Sequence, residues 1–108
     1  MVVRVIVSKP TGGEFLESNK LLQIAYNVYT IVTLELEALG CDKEVEDSEG
    51  VRYICHEVTK EQVLQTIRKE VETKTIQVTQ SENNTYMIIL KTKSGINVPL
   101  VTMTITET

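Results

Sequence analysis

The sequence of 108 residues has no tryptophan and is poor in several residue types that carry chemistry: it has one histidine, one phenylalanine, two cysteines and two prolines. A chain of this length buries about two-thirds of its unfolded surface, so it needs neither a disulfide framework nor a structural metal to fold. A single imidazole also leaves little scope for acid–base or nucleophilic catalysis. We therefore expect one domain over 1–108 that is not an enzyme, with no catalytic residues, no metal and no cofactor.

Long apolar runs are missing as well. The run at residues 2–7 is interrupted by Arg4 and is far shorter than the roughly 20 residues that a membrane span requires. It also lacks the charged start, longer apolar stretch and small-residue cleavage site of a signal peptide. These absences predict a cytoplasmic chain without a membrane partner. Because thiols stay reduced in that compartment, we expect Cys41 and Cys55 to be free, and we discount the glycosylation sequon Asn83-Asn84-Thr85.

Negative charge is concentrated in one segment. The net charge is −4, and residues 41–57 contain six of the fifteen acidic side chains together with both cysteines and the histidine. The segment does not match a calcium-binding loop, because Asp47 and Tyr53 occupy the positions where glycine and a bidentate glutamate are needed. Neighbouring residues Cys55 and His56 would point to opposite faces of a strand, which argues against zinc. The segment is typical of a solvated acidic surface suited to a basic partner.

Apolar periodicity predicts the order of the elements. Alternating patterns predict strands, whereas a spacing of three to four residues predicts two helices, the first beginning near Ser18 and the second at a capping box formed by Thr59 and Gln62. The predicted strands lie at 2–7, 43–47, 51–58, 75–80, 85–91 and from 96 onward. The strand at 43–47 is predicted to pair with 51–58 as a hairpin through Ser48-Glu49-Gly50, with Gly50 at the tight position. The order predicts an α+β fold: a single mostly antiparallel sheet with two helices packed on one face and a C-terminal three-stranded meander.

Two local features are ambiguous or irregular. Residues 32–38 alternate between apolar and polar side chains as a strand does, yet they are good helix formers and Gly40 is a natural C-terminal cap. We favour one helix to about residue 39, with a strand over 32–38 as the alternative. In the last strand, the consecutive apolar residues Leu100 and Val101 beside Pro99 predict a β-bulge, with this part of the strand at an edge or an irregularity.

The glycine-rich stretch at residues 9–14 follows a strand and precedes a helix, which is where phosphate-binding loops occur. Its sequence matches neither G-x-x-x-x-G-K-[ST] nor G-x-G-x-x-G, and Glu14 would repel an anion. We interpret it as a connection.

Two surfaces are candidates for binding another protein. The first is the acidic segment, with Glu44, Glu46, Asp47 and Glu49. The second is the last strand, which we expect to be an open edge of good β-formers, namely Thr102, Thr104 and Thr106, and such edges pair with other chains. The sequence thus predicts a small non-catalytic protein-interaction or regulatory module that binds a protein partner or itself, as a homo-oligomer associating through a sheet edge. The identity of the partner does not follow from the sequence.

A nucleic-acid-binding module is the alternative. Five basic residues lie near the second helix and the meander, where they could gather on one side of the domain. They are Arg68, Lys69, Lys74, Lys91 and Lys93. Aromatic side chains for stacking on bases are few, and the four tyrosines lie on apolar patterns that predict core positions: Tyr26, Tyr29, Tyr53 and Tyr86. We therefore rank this function second.

Overall fold

The computed structural model describes residues 1–10 and 19–108. Within these ranges the chain has six strands and two helices. They are β1 Val2–Ser8, α1 Asn19–Ala38, β2 Asp42–Glu46, β3 Gly50–His56, α2 Lys60–Val71, β4 Ile76–Gln80, β5 Thr85–Lys91 and β6 Asn97–Glu107. The predicted helix cap at Ser18 and the glycine-rich connection from Thr11 onward lie outside the described residues.

The strands form one antiparallel sheet in the order β2-β3-β1-β6-β5-β4. Helices α1 and α2 contact each other and both contact β6, so they cover one face of the sheet. The core lies between the helices and this face, where alternate residues such as Val5, Tyr53 and Met103 are buried. The predicted α+β class and the C-terminal meander β4-β5-β6 are confirmed. Neither described helix is long and apolar enough to cross a bilayer.

Helix α1 is continuous from Asn19 to Ala38, as favoured, and residues 32–38 do not form a strand. Val28, Val32 and Leu36 are buried at helical spacing. The strand-like alternation arises from Leu34, which is 59% exposed in the centre of the solvent-facing side. Beyond the helix, Gly40 has φ of +85°, and the Cys41 amide donates to the Leu36 carbonyl oxygen at 3.0 Å. This turn directs the chain from α1 into β2.

The predicted start of α2 is confirmed. The Thr59 hydroxyl accepts from the Gln62 amide at 3.0 Å, and the Gln62 side chain accepts from the Thr59 amide at 2.7 Å. A third contact was not predicted: the carboxylate of Glu107 accepts from the Lys60 amide at 3.0 Å. A carboxylate is favourable here because the first amides of a helix lack intrahelical partners and carry partial positive charge.

Strand β6 is not an edge, so the expectation of an open C-terminal strand is wrong. It pairs with β1 over Met103–Glu107 and with β5 over Asn97–Thr104. The backbone groups that would recruit another chain at Thr102, Thr104 and Thr106 are therefore largely used inside the sheet. Their side chains lie on the face that the helices leave uncovered, where Thr104 is paired with Ile6.

The predicted bulge in β6 is present. Ile88 pairs with Val101 and Ile89 pairs with Pro99, so Leu100 is the extra residue. Because of this insertion, Val98, Leu100 and Val101 are all buried rather than divided between two faces. Pro99 lies beyond the part of β6 that pairs with β1, where a missing amide costs no hydrogen bond on that side.

The true edges of the sheet are β2 and β4. Part of the outer side of β4 is already occupied, since the Glu72 carboxylate accepts from the Val78 amide at 3.1 Å and the Thr73 hydroxyl accepts from the Ile76 amide at 3.0 Å. The Thr73 amide also donates to the Ile76 carbonyl oxygen at 2.9 Å. The segment after α2 therefore blocks half of this edge against pairing with another strand.

Candidate interaction site

The edge strand β2 is the most exposed strand of the sheet. All five of its residues are exposed, and β3 is its one partner among the strands that the structure describes. The pairing shifts register between Lys43 and Val45, which is a bulge at Glu44. We call the five carboxylates of this strand and its turn the acidic edge: Asp42, Glu44, Glu46, Asp47 and Glu49. The hairpin predicted from the sequence is confirmed, and it places all four predicted acidic contact residues at one edge of the sheet.

The turn between β2 and β3 is built around Asp47. One oxygen of its carboxylate accepts from the amides of Glu49 at 2.9 Å and Gly50 at 3.2 Å. The Asp47 amide in turn donates to the Gly50 carbonyl oxygen at 2.9 Å. Asp47 is therefore partly a structural residue, whereas Glu44 and Glu49 make no side-chain hydrogen bond with another described residue. Glu46 forms an exposed ion pair with Lys43 at 3.3 Å.

The expectation that both cysteines are free is wrong, because Cys41 and Cys55 form a disulfide. The β2–β3 register sets Cys41 directly opposite Cys55, with the Cα atoms 4.3 Å apart. Directly opposed residues of an antiparallel pair have the short separation that a disulfide needs. The bond occupies the sulfur atoms of both cysteines, and His56, the other residue considered for zinc, is exposed at the end of β3.

Two buried tyrosines lie between α1 and the acidic edge. The Tyr53 hydroxyl donates to the Glu37 carboxylate at 3.0 Å. Burial raises the pKa of Tyr53 above its ordinary value, and the hydrogen bond to Glu37 raises it further. Burial likewise raises the pKa of Tyr29, with smaller effects from nearby groups including Glu46. The Tyr29 hydroxyl has no hydrogen-bond partner among the described residues.

These two hydroxyl groups predict opposite responses to deletion. Changing Tyr53→Phe should lower the free energy of unfolding by about 1 kcal/mol, because the Glu37 carboxylate loses its donor. Changing Tyr29→Phe should raise it by about 1 kcal/mol, because the variant no longer buries an unpaired hydroxyl. Urea unfolding of the two variants at neutral pH measures both changes. Equal destabilisation by both substitutions would contradict the assignment of Tyr29 as unpaired.

A depression of about 150 Å³ lies beside the acidic edge on the uncovered face of the sheet. Its lining includes Ile6 and Val45 together with the acidic residues Asp47 and Glu49 and the cation Arg52. Because charges of both signs line it, the depression does not select a cationic side chain.

The five basic residues of the nucleic-acid alternative are found together, around the end of α2 and the start of β4. Arg68 and Lys69 are in the last turn of α2, and the Lys91 amide donates to the Thr75 carbonyl oxygen at 2.7 Å, which brings Lys91 beside Lys74. Lys93 follows in the next turn. We call Arg68, Lys69, Lys74, Lys91 and Lys93 the basic end. Within residues 1–10 and 19–108, none of them has a carboxylate within 4 Å.

Sequence reasoning missed several residues of this region. Tyr29 and Tyr53 are buried in the core, as expected. Their position near the acidic edge could not be predicted, because it depends on how α1 crosses the sheet. Tyr26, also expected in the core, is 42% exposed. Nothing in the sequence indicated that Glu37, on the polar side of α1, accepts a hydrogen bond from Tyr53. Because β6 pairs with β1, which is distant in sequence, Thr102, Thr104 and Thr106 do not lie at an edge of the sheet.

The fold and the exposed acidic edge define the class of the protein as a small α+β domain with one fully exposed, charged sheet edge. No protein-family model, no curated protein and no solved structure matches the chain. The function is therefore argued from the surface of the domain alone.

Proposed function

We propose that the chain is a small non-catalytic protein-interaction module that self-associates through a sheet edge, with the acidic edge of one copy binding the basic end of the next. One observation carries the proposal: β2 is exposed along its whole length and concentrates carboxylates at the edge of the sheet opposite the basic end. The bulge at Glu44 and the charges of β2 oppose pairing with a further strand, so complementary charge between the two surfaces selects the partner.

The charges are available for such a contact. Among the described residues, the single ion pair within 4 Å is that of Lys43 with Glu46. The remaining carboxylates of the acidic edge and the cations of the basic end thus form no ion pair with another described residue. The contact is heterologous, since it joins two different surfaces, and heterologous contacts that do not close into a ring form open chains. Oligomers should therefore grow with protein concentration.

Neutralising the edge tests this directly. The triple variant Glu44→Gln, Glu46→Gln and Glu49→Gln leaves Asp47 in place because that residue holds the turn. We expect the dissociation constant for self-association to rise about tenfold, since each exposed charge pair contributes about 0.5 kcal/mol. Light scattering coupled to size exclusion measures it at low salt. Association should also be lost near 1 M salt, where the screening length is about 3 Å.

A matched control changes the same number of charges elsewhere. Glu57, Glu61 and Glu82 are exposed and belong to neither the acidic edge nor the basic end, so the variant with glutamine at these three positions has the same net charge as the edge variant. It should associate like the unmodified chain. If both variants weaken association equally, net charge rather than the acidic edge is responsible.

Mixing two defective copies tests the geometry of the contact. One copy has the neutralised acidic edge, and the other has glutamine at Lys74, Lys91 and Lys93. At a concentration where the unmodified chain associates but a tenfold weaker contact does not form, neither copy should associate alone, yet the intact basic end of the first can bind the intact acidic edge of the second. A mixture that stops at a one-to-one pair supports a head-to-tail contact. A mixture that stays monomeric contradicts it.

Nucleic-acid binding remains the second candidate, because the basic end presents five cations without carboxylate partners in the described part of the chain. Phosphate contacts make such binding strongly salt-dependent. A low-salt titration with DNA and RNA separates the two functions: replacing Lys74, Lys91 and Lys93 should abolish nucleic-acid binding, whereas the neutralised acidic edge should leave it intact or strengthen it.

The compartment is also part of the proposal. The sequence favoured the cytoplasm, but a disulfide is typical of oxidising compartments. The Cys41–Cys55 bond therefore favours an oxidising environment for this domain.

A further inference from the structure

The turn between β4 and β5 contains the sequon Asn83-Asn84-Thr85. Asn83 and Asn84 are exposed at the tip of this turn, and Thr85 begins β5. The backbone of the turn is held in place, since the Ser81 amide donates to the Thr85 carbonyl oxygen at 3.0 Å and the Gln80 side chain donates to the Asn83 carbonyl oxygen at 2.8 Å. The sequon is thus presented on an ordered, protruding turn.

The two asparagines of the turn differ in their contacts. The side-chain oxygen of Asn84 accepts from the Lys60 ammonium at 2.8 Å, and the same ammonium lies 5.3 Å from the centre of the Tyr86 ring. The side chain of Asn83 makes no hydrogen bond with a described residue, and neither does the Thr85 hydroxyl. Asn83 is also the asparagine with a threonine two positions later, which the modification requires.

The reason for discounting this sequon was the expected reducing compartment. The disulfide between Cys41 and Cys55 removes that reason, because disulfides persist where proteins are exported, and N-linked glycosylation acts on exported chains. We propose that Asn83 is an acceptor site for N-linked glycosylation. The glycan donor is a lipid-pyrophosphate-linked oligosaccharide.

The reaction needs no redox partner. A bond forms between the side-chain nitrogen of Asn83 and the anomeric carbon of the first sugar, while the bond from that carbon to the pyrophosphate oxygen breaks. The asparagine amide loses one proton and the lipid pyrophosphate leaves. A glycan at this turn lies beside β4, at the edge of the sheet opposite β2. The acidic edge therefore stays uncovered, and Asn83 follows the end of β4, whereas Lys74 of the basic end precedes its start.

Expression of the full chain behind a cleavable secretion leader in a eukaryotic cell tests the site. The secreted protein should show one discrete increase in mass that peptide N-glycosidase removes. Asn83→Gln and Thr85→Ala should each abolish the increase, whereas Thr85→Ser should retain it. Asn84→Gln is the matched control: it removes the contact with Lys60 but keeps the sequon, so the increase should remain.

The mass is read on denatured protein, so the outcome does not depend on self-association. Secreted chain that carries the disulfide but shows no increase in mass would overturn the proposal. An increase that persists in both Asn83→Gln and Thr85→Ala would overturn it too, because the modification would then lie elsewhere. If one of these two variants fails to be secreted, the other still decides the result.

Discussion

Replacing Gly50 with alanine is expected to lower the free energy of unfolding by about 2–6 kcal/mol, which combines the cost of a strained backbone with that of overpacking. Gly50 has φ of +156° at the start of β3. An added methyl group would collide with the Val7 carbonyl oxygen and approach the Cα atom of Ser8 to 3.0 Å. Both contacts are backbone atoms of the paired strand β1, which cannot move aside as a flexible side chain could. Denaturant unfolding measures the loss.

Two other glycines separate the collision from the backbone strain. Gly40 and Gly95 have φ of +85° and +86°, and an added methyl group at either would meet nothing within 4 Å. Alanine at these positions should therefore cost about 1–2 kcal/mol, the ordinary penalty for a left-handed residue with a side chain. If Gly50→Ala cost no more than these controls, close packing of the hairpin against β1 would not be the reason for glycine at this position.

Gly50 also shows what cannot be inferred from neighbouring residues in the sequence. The sequence suggested a glycine in a tight hairpin turn, which is correct as far as it goes. The stronger constraint comes from β1, more than forty residues away along the chain, because Gly50 is paired with Ser8. That contact fixes the hairpin, and with it Glu49, against the end of β1, where the Lys9 amide donates to the Glu49 carbonyl oxygen at 2.8 Å.

Features that depend on neighbouring residues could be predicted. The start of α2 was readable because the capping groups of Thr59 and Gln62 are three residues apart, and the bulge was readable from Leu100 and Val101. The order of the strands was not readable, since the pairing of Val3 with Glu107 joins the two ends of the chain. The expectation that β6 is an edge failed for this reason.

The candidate site also has features that could be predicted from neighbouring residues and features that could not. Glu44, Glu46 and Glu49 were found as an acidic run, because charge density is visible in any segment of sequence. The disulfide was not found, because it depends on the register that sets Cys41 opposite Cys55. The expected compartment wrongly predicted that Cys41 and Cys55 are free, whereas the short distance between their Cα atoms accounts for the disulfide.

Removing the disulfide is the second change with a large expected effect. The two cysteines are 14 residues apart in sequence, and closing a loop of this size stabilises a protein by about 3 kcal/mol. Changing Cys41 and Cys55 to alanine should therefore lower the melting temperature by about 10–20 °C. Scanning calorimetry measures the change, and the double variant should no longer respond to a reductant. Two free thiols in unmodified protein unfolded without reductant would contradict the bond itself.

Removing the disulfide should lower local stability most at the acidic edge. Among the described strands β2 pairs only with β3, and the disulfide ties the start of β2 to the end of β3, opposite the turn that joins the two strands. In the alanine double variant, amide exchange should therefore rise most in β2 and least in β1 and β6, which are paired on both sides.

Because Cys41 and Cys55 are both buried, a reductant can reach the bond only when this part of the domain opens. If β2 opens alone, reduction will be faster than global unfolding and will weaken self-association before the core melts. If reduction and global unfolding have the same rate, β2 opens only together with the core, and the acidic edge is as stable as the rest of the sheet.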